Sequence, residues 1–173
     1  MNIMSTIRTL LAKYYGGERL VEYLRTKGMS IGENCRIFCD ISTAESYLVE
    51  IGNNVTISGD VSLITHDSSI QKALPDVTDV FGKIKIGNNC FIGIGSTIMY
   101  GVTLADNSIV AAGSVVTKSV TEPGKIIGGN PAKVISDVES FASKMRKHAV
   151  NIKGLSPEQK KALLENEEIL VSR

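Results

Sequence analysis

IGNNCF-IGIGST-IMYGVT-LADNSI-VAAGSV-VTKSVT, running from Ile86 to Thr121, is a succession of six-residue units in one register. Each unit opens on an aliphatic residue: Ile86, Ile92, Ile98, Leu104, Val110 and Val116. Four residues later stands a small or β-branched one: Cys90, Ser96, Val102, Ser108, Ser114 and Val120. A helical face would space its apolar residues by three and four, and an alternating strand by two. A period of six fits neither. It is the mark of a parallel β-helix, in which each hexapeptide forms one short flat side and a bend. Three sides close a triangular coil, so residues eighteen apart stack at about 4.8 Å, the separation of neighbouring strands.

The same pattern extends upstream. Ile31 with Cys35 and Ile37 with Ile41 begin it; Ile51 with Val55, Ile57 with Val61, and then Leu63 resume it. Interruptions fall at 42–50 and 67–83. Bends stand at Gly32-Glu33-Asn34, Gly52-Asn53-Asn54, Gly87-Asn88-Asn89 and Ala105-Asp106-Asn107. Asn and Gly tolerate the left-handed backbone that a tight corner requires. The segment 67–83 holds Asp67, Pro75, Asp76, Asp79 and Gly82 and reads as an excursion from one corner. Long loops in compact domains are often functional.

Downstream, Pro123-Gly124 loosens the repeat and Gly128-Gly129-Asn130-Pro131 turns the chain out of the coil. The expected fold class is all-β: an N-terminal helical cap at 1–29, a parallel β-helix at 30–135 and a helical tail at 136–173. Within the cap, 2–15 and 17–27 read as short helices. Leu10, Leu11 and Tyr14 line the first; Leu20, Val21 and Leu24 line the second. They would plug the open first coil, because terminal repeats need capping. Asp137–Ala149 reads as a helix. A further one starts after Ser156, with Pro157 at its first position.

The 173 residues are 43% hydrophobic and 5% aromatic, without Trp, which suits a narrow interior filled by Ile, Val and Ser. A net charge of +1 excludes a bulk electrostatic case for nucleic acid or an acidic membrane, so any anion site must be local. Cys35, Cys39 and Cys90 make no disulfide framework, and Cys35 and Cys90 occupy the small inward position of the repeat. They are expected to be core thiols. No metal cluster is visible. The N-terminus shows no signal-peptide pattern and no apolar run is long enough to span a membrane. The expected location is cytoplasmic.

Two histidines exist. His148 lies in a mixed-charge helix and is expected to face solvent. His66 follows the inward Leu63 by three residues, the place held by Asn54 and Asn89 at corners. It should therefore point outward, just before the long excursion. Imidazole is the side chain best poised for proton transfer near neutral pH. Neighbours in extended chain point to opposite sides, so Asp67 need not orient His66. The partner is either a main-chain carbonyl or a carboxylate from 40–46. Stacking by eighteen also puts Gly93, Ala111 and Gly129 in one column, and Gly95 and Gly113 in another. Corners need glycine anyway. A bare strip nevertheless offers main-chain groups to a long, thin ligand, and Lys118, Lys125 and Lys133 lie beyond it, as phosphate binding would want.

The stretches Ile64-Thr65-His66-Asp67, Lys85 to Gly93, Ala111 to Lys118 and Gly128 to Ile135 resemble the hexapeptide-repeat acyltransferases. They are most similar to the maltose, galactoside and capsular-polysaccharide O-acetyltransferase group, over about residues 30–135. The resemblance implies a left-handed coil, against the usual hand of parallel crossovers. It also implies acetyl-CoA as donor, no metal, and a homotrimer with active sites between subunits. His66 matches the family's catalytic histidine. Ala112, Thr117 and Lys118 match contacts to coenzyme A, joined by Gly95 and Gly113 of the bare strip. Asn130-Pro131-Ala132-Lys133 matches the segment at its adenine and 3′-phosphate end. The family's sugar acetyltransferases carry an acceptor-binding Asn upstream of the histidine. Here Ile37 to Tyr47 has none, so Asp40 and Glu45, with Asp67, stand as the acceptor-side residues.

The expected reaction is O-acetylation of a sugar or polysaccharide precursor, by direct transfer in a ternary complex. N-acetylation of an amino sugar, or acetylation of a small-molecule or antibiotic acceptor, is the alternative. A γ-class carbonic anhydrase has the same coil but needs three zinc-binding histidines. A trimeric scaffold would need neither His66 nor the bare strip.

Overall fold

Strands of two or three residues cannot stand alone, so each is held by the copies stacked on it. The computed structural model describes residues 17–41, 43–165 and 167–171, and the expected helix at 2–15 lies outside them. After α1 (Glu18–Thr26) the chain winds through β1 (Ser30–Ile31) and β2 (Arg36–Ile37). The next turn is β3 (Val49–Ile51), β4 (Thr56–Ile57) and β5 (Ser62–Leu63). It leaves the coil at β6 (His66–Asp67) and returns by β7 (Val80–Phe81). It then continues as β8 (Ile84–Ile86), β9 (Phe91–Ile92), β10 (Thr97–Ile98), β11 (Thr103–Leu104), β12 (Ile109–Val110) and β13 (Val115–Val116). A hairpin of β14 (Lys125–Gly129) and β15 (Ala132–Asp137) closes the series.

Three faces result. β1, β3, β8 and β11 stack on the first, β2, β4, β9, β12 and β14 on the second, and β5, β10 and β13 on the third, all parallel. The aliphatic position of each hexapeptide faces its own kind: Ile31 on Ile51, Ile86 and Leu104; Ile37 on Ile57, Ile92, Val110 and Ile127; Leu63 on Ile98 and Val116. These residues form one buried cluster with Cys35, Cys90 and Val102. The serines at the small inward position are buried too. Ser96, Ser108 and Ser114 donate their hydroxyls to the carbonyls of Ala111, Ala105 and Ala111 at 3.0, 2.6 and 2.7 Å. An unpartnered buried hydroxyl would cost about 1–3 kcal/mol, so the serines are tolerated only because a carbonyl meets each.

The corners differ. Between the first and second faces, Asn34, Asn54, Asn89 and Asn107 take φ of 58, 56, 55 and 60°, and Gly124 takes 72°. Their neighbours form a ladder along the edge. Asn53 Oδ1 accepts from Glu33 N–H at 2.8 Å, Asn88 Oδ1 from Asn53 N–H at 2.9 Å, and Asp106 Oδ1 from Asn88 N–H at 2.7 Å. Between the second and third faces, Asp60, Gly95 and Gly113 hold φ of 57, 69 and 69°. Between the third face and the first, the chain leaves the coil twice, through 43–48 and through 64–83. His66 belongs to this third corner. It holds the same place in its hexapeptide as Asn54 and Asn89, but two hexapeptides after Asn54 and therefore at a different corner of the coil.

At the open first coil, α1 buries Leu20, Val21 and Leu24 in the same core as Met29, Ile31 and Ile37. Each such side chain gains roughly 1.5–3 kcal/mol from burial. The chain divides into compact units at Val138 and Glu139. In the second unit, α2 (Val138–Met145) is followed by α3 (Pro157–Leu164), whose Ser156 and Gln159 satisfy each other's backbone N–H in a capping box. His148 is not solvent-exposed as expected. It is half-buried, and its shielded Nδ1 has no hydrogen-bond partner among the described residues. Among the described residues no helix is long and apolar enough to cross a membrane.

Candidate active site

The two excursions start from the same corner one coil apart, and this brings Glu45 to His66. Glu45 immediately precedes the single turn Ser46–Leu48 that leads into β3. His66 Nδ1 lies 2.9 Å from Glu45 Oε2. A carboxylate only accepts, so the imidazole donates from Nδ1, and in the neutral ring Nε2 is the nitrogen without a proton. The same Oε2 accepts the Thr65 hydroxyl at 2.7 Å, and the hydroxyls of Thr65 and Thr43 are also in hydrogen-bond contact. Thr65 first, and His66 after it, hold the Glu45 carboxyl below the usual carboxylate range, against the opposing push of partial burial. The His66 side chain is 42% exposed, and that of Glu45 15%.

The long excursion is anchored by its own strand pair. His66 faces Phe81 and Asp67 faces Val80 across antiparallel β6 and β7. The His66 and Phe81 rings are 5.8 Å apart between centroids and tilted by 42°. Phe81 is 56% exposed. The return is tight: a Cβ on Gly82 would stand 2.4 Å from the Gly101 backbone nitrogen, so no larger residue closes the loop there. Asp67 turns its carboxylate back on the loop, where Oδ1 accepts from Ser69 N–H at 2.8 Å. That bond is the leading cause that keeps its carboxyl below the ordinary value.

The acceptor-side residues read from sequence are therefore not one cluster. Glu45 is bound to His66 and Thr65, Asp67 caps the turn Ser68–Lys72, and Asp40 sits half-buried before Ile41. The bare strip also changes. Val110 pairs with Ile127, one residue short of the eighteen-residue spacing, so Ala111 stacks on Gly128 and not on Gly129. The shortening falls before Pro123-Gly124: Val120 already bridges Leu104 two residues short of eighteen, and the corner at Gly124 restores one of them. Gly93 is bare for packing: a Cβ there would meet Ala112 N at 2.5 Å. At Gly95 and Gly113 an added Cβ would meet nothing within 4 Å, so these two and the exposed Ala112 present open main chain to solvent.

Thr117 and Lys118 are exposed just beyond β13, on the edge that carries His66. Gly95, Ala112 and Gly113 lie on the other edge of the third face. Asn130 and Pro131 are exposed at the turn between β14 and β15, with Lys133 exposed on β15. Lys125 is paired with Glu122 at 2.9 Å. Sequence reasoning missed Thr43, Thr65 and Phe81. A period-two step from the inward Leu63 does place Thr65 inward, and a polar residue there was the available signal. Phe81 shows only as an aromatic beside Gly82 in a chain poor in aromatics.

Residues 83–118 match the family described as the hexapeptide repeat of succinyl-transferase. Over 149 residues the chain is 45% identical to Protein CapG of Staphylococcus aureus, spanning 83% of this chain and 86% of that one. It is 35% identical over 109 residues to galactoside O-acetyltransferase of Escherichia coli (strain K12), covering 62% of this chain and only 53% of the relative. Among solved structures, a maltose O-acetyltransferase from Clostridium difficile 630 superposes with a TM-score of 0.55 at 29% identity, over 70% of this chain and 75% of that one. A galactoside acetyltransferase in complex with coenzyme A gives 0.56 at 24% identity over 73% of each chain, a likeness of fold. These neighbours imply a left-handed sense for the coil.

Proposed function

Since this chain belongs to the hexapeptide-repeat acetyltransferase family, we propose that it transfers the acetyl group of acetyl-CoA to a hydroxyl of a saccharide or polysaccharide precursor. The observation that carries the mechanism is the bond from His66 Nδ1 to Glu45 Oε2. It leaves Nε2 of a 42% exposed imidazole as a base at the mouth of the site. His66 Nε2 takes the proton of the acceptor hydroxyl as its oxygen attacks the thioester carbonyl carbon. The carbon–sulfur bond then breaks, and His66 returns the proton to the departing thiolate. Main-chain N–H groups at the corner are suited to the charge on the carbonyl oxygen. A thioester is already an activated acyl group, so acceptor and donor react in one ternary complex without a metal.

Gly95, Ala112 and Gly113 suit the thin arm of coenzyme A because all three are exposed and carry no side chain larger than a methyl group. Thr117 and Lys118, with Asn130, Pro131 and Lys133, are assigned to its nucleotide end, where lysines meet phosphate as point charges. The His66 edge and the glycine edge bound opposite sides of one face. A homotrimer that sets one copy's glycine edge against the next copy's His66 would complete the site, and light scattering on purified protein tests that assembly. We assign 30–135 as the catalytic coil, 1–29 and 136–173 as its helical additions, Glu45 as the residue that positions His66, and Asp40 as a polar contact to the acceptor. Phe81 offers an exposed ring beside the base, suited to the apolar face of a sugar.

The decisive experiment is release of free coenzyme A thiol from acetyl-CoA across a panel of oligosaccharides and nucleotide sugars, with matched amino sugars. Turnover on hydroxyl acceptors is expected. Turnover confined to amines would replace O-transfer by N-transfer, and none with any saccharide would remove the saccharide assignment.

A further inference from the structure

A histidine base works from the ring nitrogen that lacks a proton, so its tautomer decides whether it works at all. Glu45 Oε2 receives the Nδ1 proton of His66 at 2.9 Å and the hydroxyl proton of Thr65 at 2.7 Å. Thr65 has a single hydroxyl proton, and a carboxylate has none to offer. The Thr65 proton therefore points at Glu45, and in the contact between the two threonines Thr43 is the donor. The donors run one way, from Thr43 to Thr65 to Glu45, and His66 meets the same oxygen from the other side. Thr65 is 1% exposed, closed to bulk solvent, so this chain is fixed by the fold. The Thr65 backbone is held as well, its carbonyl accepting from Gly82 N–H at 3.0 Å. Ser46 Oγ donates to the Thr43 carbonyl at 3.1 Å and ties down the other end.

We infer that Thr65 is a positioning residue for the acetyl transfer: its buried hydroxyl pins Glu45 Oε2, and the pinned carboxylate keeps His66 in the tautomer whose Nε2 can accept the acceptor's proton. This rests on His66 being the general base. Without the Thr65 hydroxyl, Glu45 loses one of two hydrogen bonds on one oxygen and its carboxylate is free to rotate off the ring. The imidazole then divides between tautomers, and the one protonated at Nε2 cannot take the proton. The effect falls on turnover and leaves binding of acetyl-CoA alone.

The test compares Thr65→Val, which keeps the shape and removes the donor, with Thr65→Ser, which keeps the hydroxyl. For each full-length protein, kcat, KM for acetyl-CoA and the imidazole ¹⁵N shifts of His66 are measured, with His66→Ala identifying the resonance. T65V is expected to lower kcat roughly 10- to 100-fold, the worth of a hydrogen bond to a charged group. KM should stay unchanged, and the ¹⁵N shifts should move from the Nδ1-protonated form toward a mixture. T65S should restore both. If T65V does not fold, Thr65→Ala removes the same donor and is read in its place. Wild-type kcat and tautomer in the folded variant, with H66A inactive, overturn this inference alone. Wild-type turnover in folded H66A overturns the general-base reading beneath it.

Discussion

Two corners of the same triangular coil show how one repeat serves two ends. At the corner of Asn34, Asn54, Asn89 and Asn107, four asparagines hold nearly the same left-handed backbone, and the residues before them bond along the edge. Little more than the turn is built there. At the corner of Glu45 and His66 the repeat is abandoned twice, and the two departures meet in a hydrogen-bonded group of Thr43, Glu45, Thr65 and His66. Regularity gives an edge that is stable and chemically idle. Chemistry enters where the regular count fails, because there the two departures bring a carboxylate and an imidazole of adjacent coils together.

The largest effect is expected from His66→Ala. If the irregular corner is chemical, kcat should fall by roughly 10²–10⁴-fold, the usual worth of a positioned base. The melting temperature should hold, since a half-exposed ring leaves no core cavity. A melting temperature lowered in step with activity would make this corner structural like the other.

The converse substitution is Gly87→Ala at the regular corner. The new Cβ would lie 2.4 Å from Asp106 Oδ1 and 2.7 Å from its backbone nitrogen, with the ladder's own atoms in the way. Overpacking of this kind costs about 1–3 kcal/mol. Denaturant unfolding should show that loss, while kcat per folded molecule stays at the wild-type value.

The glycine edge sharpens the contrast further. Leucine at Gly113 would be strained by φ of 69° before it obstructed anything. Asparagine already adopts such a backbone at Asn89. Gly113→Asn should therefore fold normally and still place a side chain on the open main chain. An increase of about tenfold in KM for acetyl-CoA corresponds to roughly 1.4 kcal/mol. An unchanged KM would mean that this glycine serves the turn alone.

The smallest effect concerns pH. The Asn88 side chain, and then its backbone N–H, hold the Asp106 carboxyl below its ordinary value of 3.8. A depressed folded-state pKa adds stability that is fully present above the unfolded value and disappears as pH falls through the folded one. Melting curves from pH 6 down to pH 3 should show the wild type losing more than Asp106→Asn below about pH 4, where unfolded Asp titrates. Parallel curves would show that the ladder does not depend on that charge.

Glu45 and His66 mark the limit of what a linear reading reaches. The six-residue period alone determined the coil, its inward residues and its left-handed corners, because stacking forces each hexapeptide to repeat the demands of the last. Cys35, Cys90 and the buried serines follow from the same count. His66 was visible as an outward residue beside a long interruption, and a carboxylate from 40–46 was among its possible partners. Which partner it takes was not legible. Spacing carries information only while the period holds, and Glu45 and His66 both lie where it has lapsed. The tertiary structure decided that Glu45 meets His66, that Asp67 turns away to cap its own loop, and that Thr65 stands behind the pair. It also moved the stacking partner of Ala111 from Gly129 to Gly128, since the coil that ends in β14 is one residue shorter than eighteen.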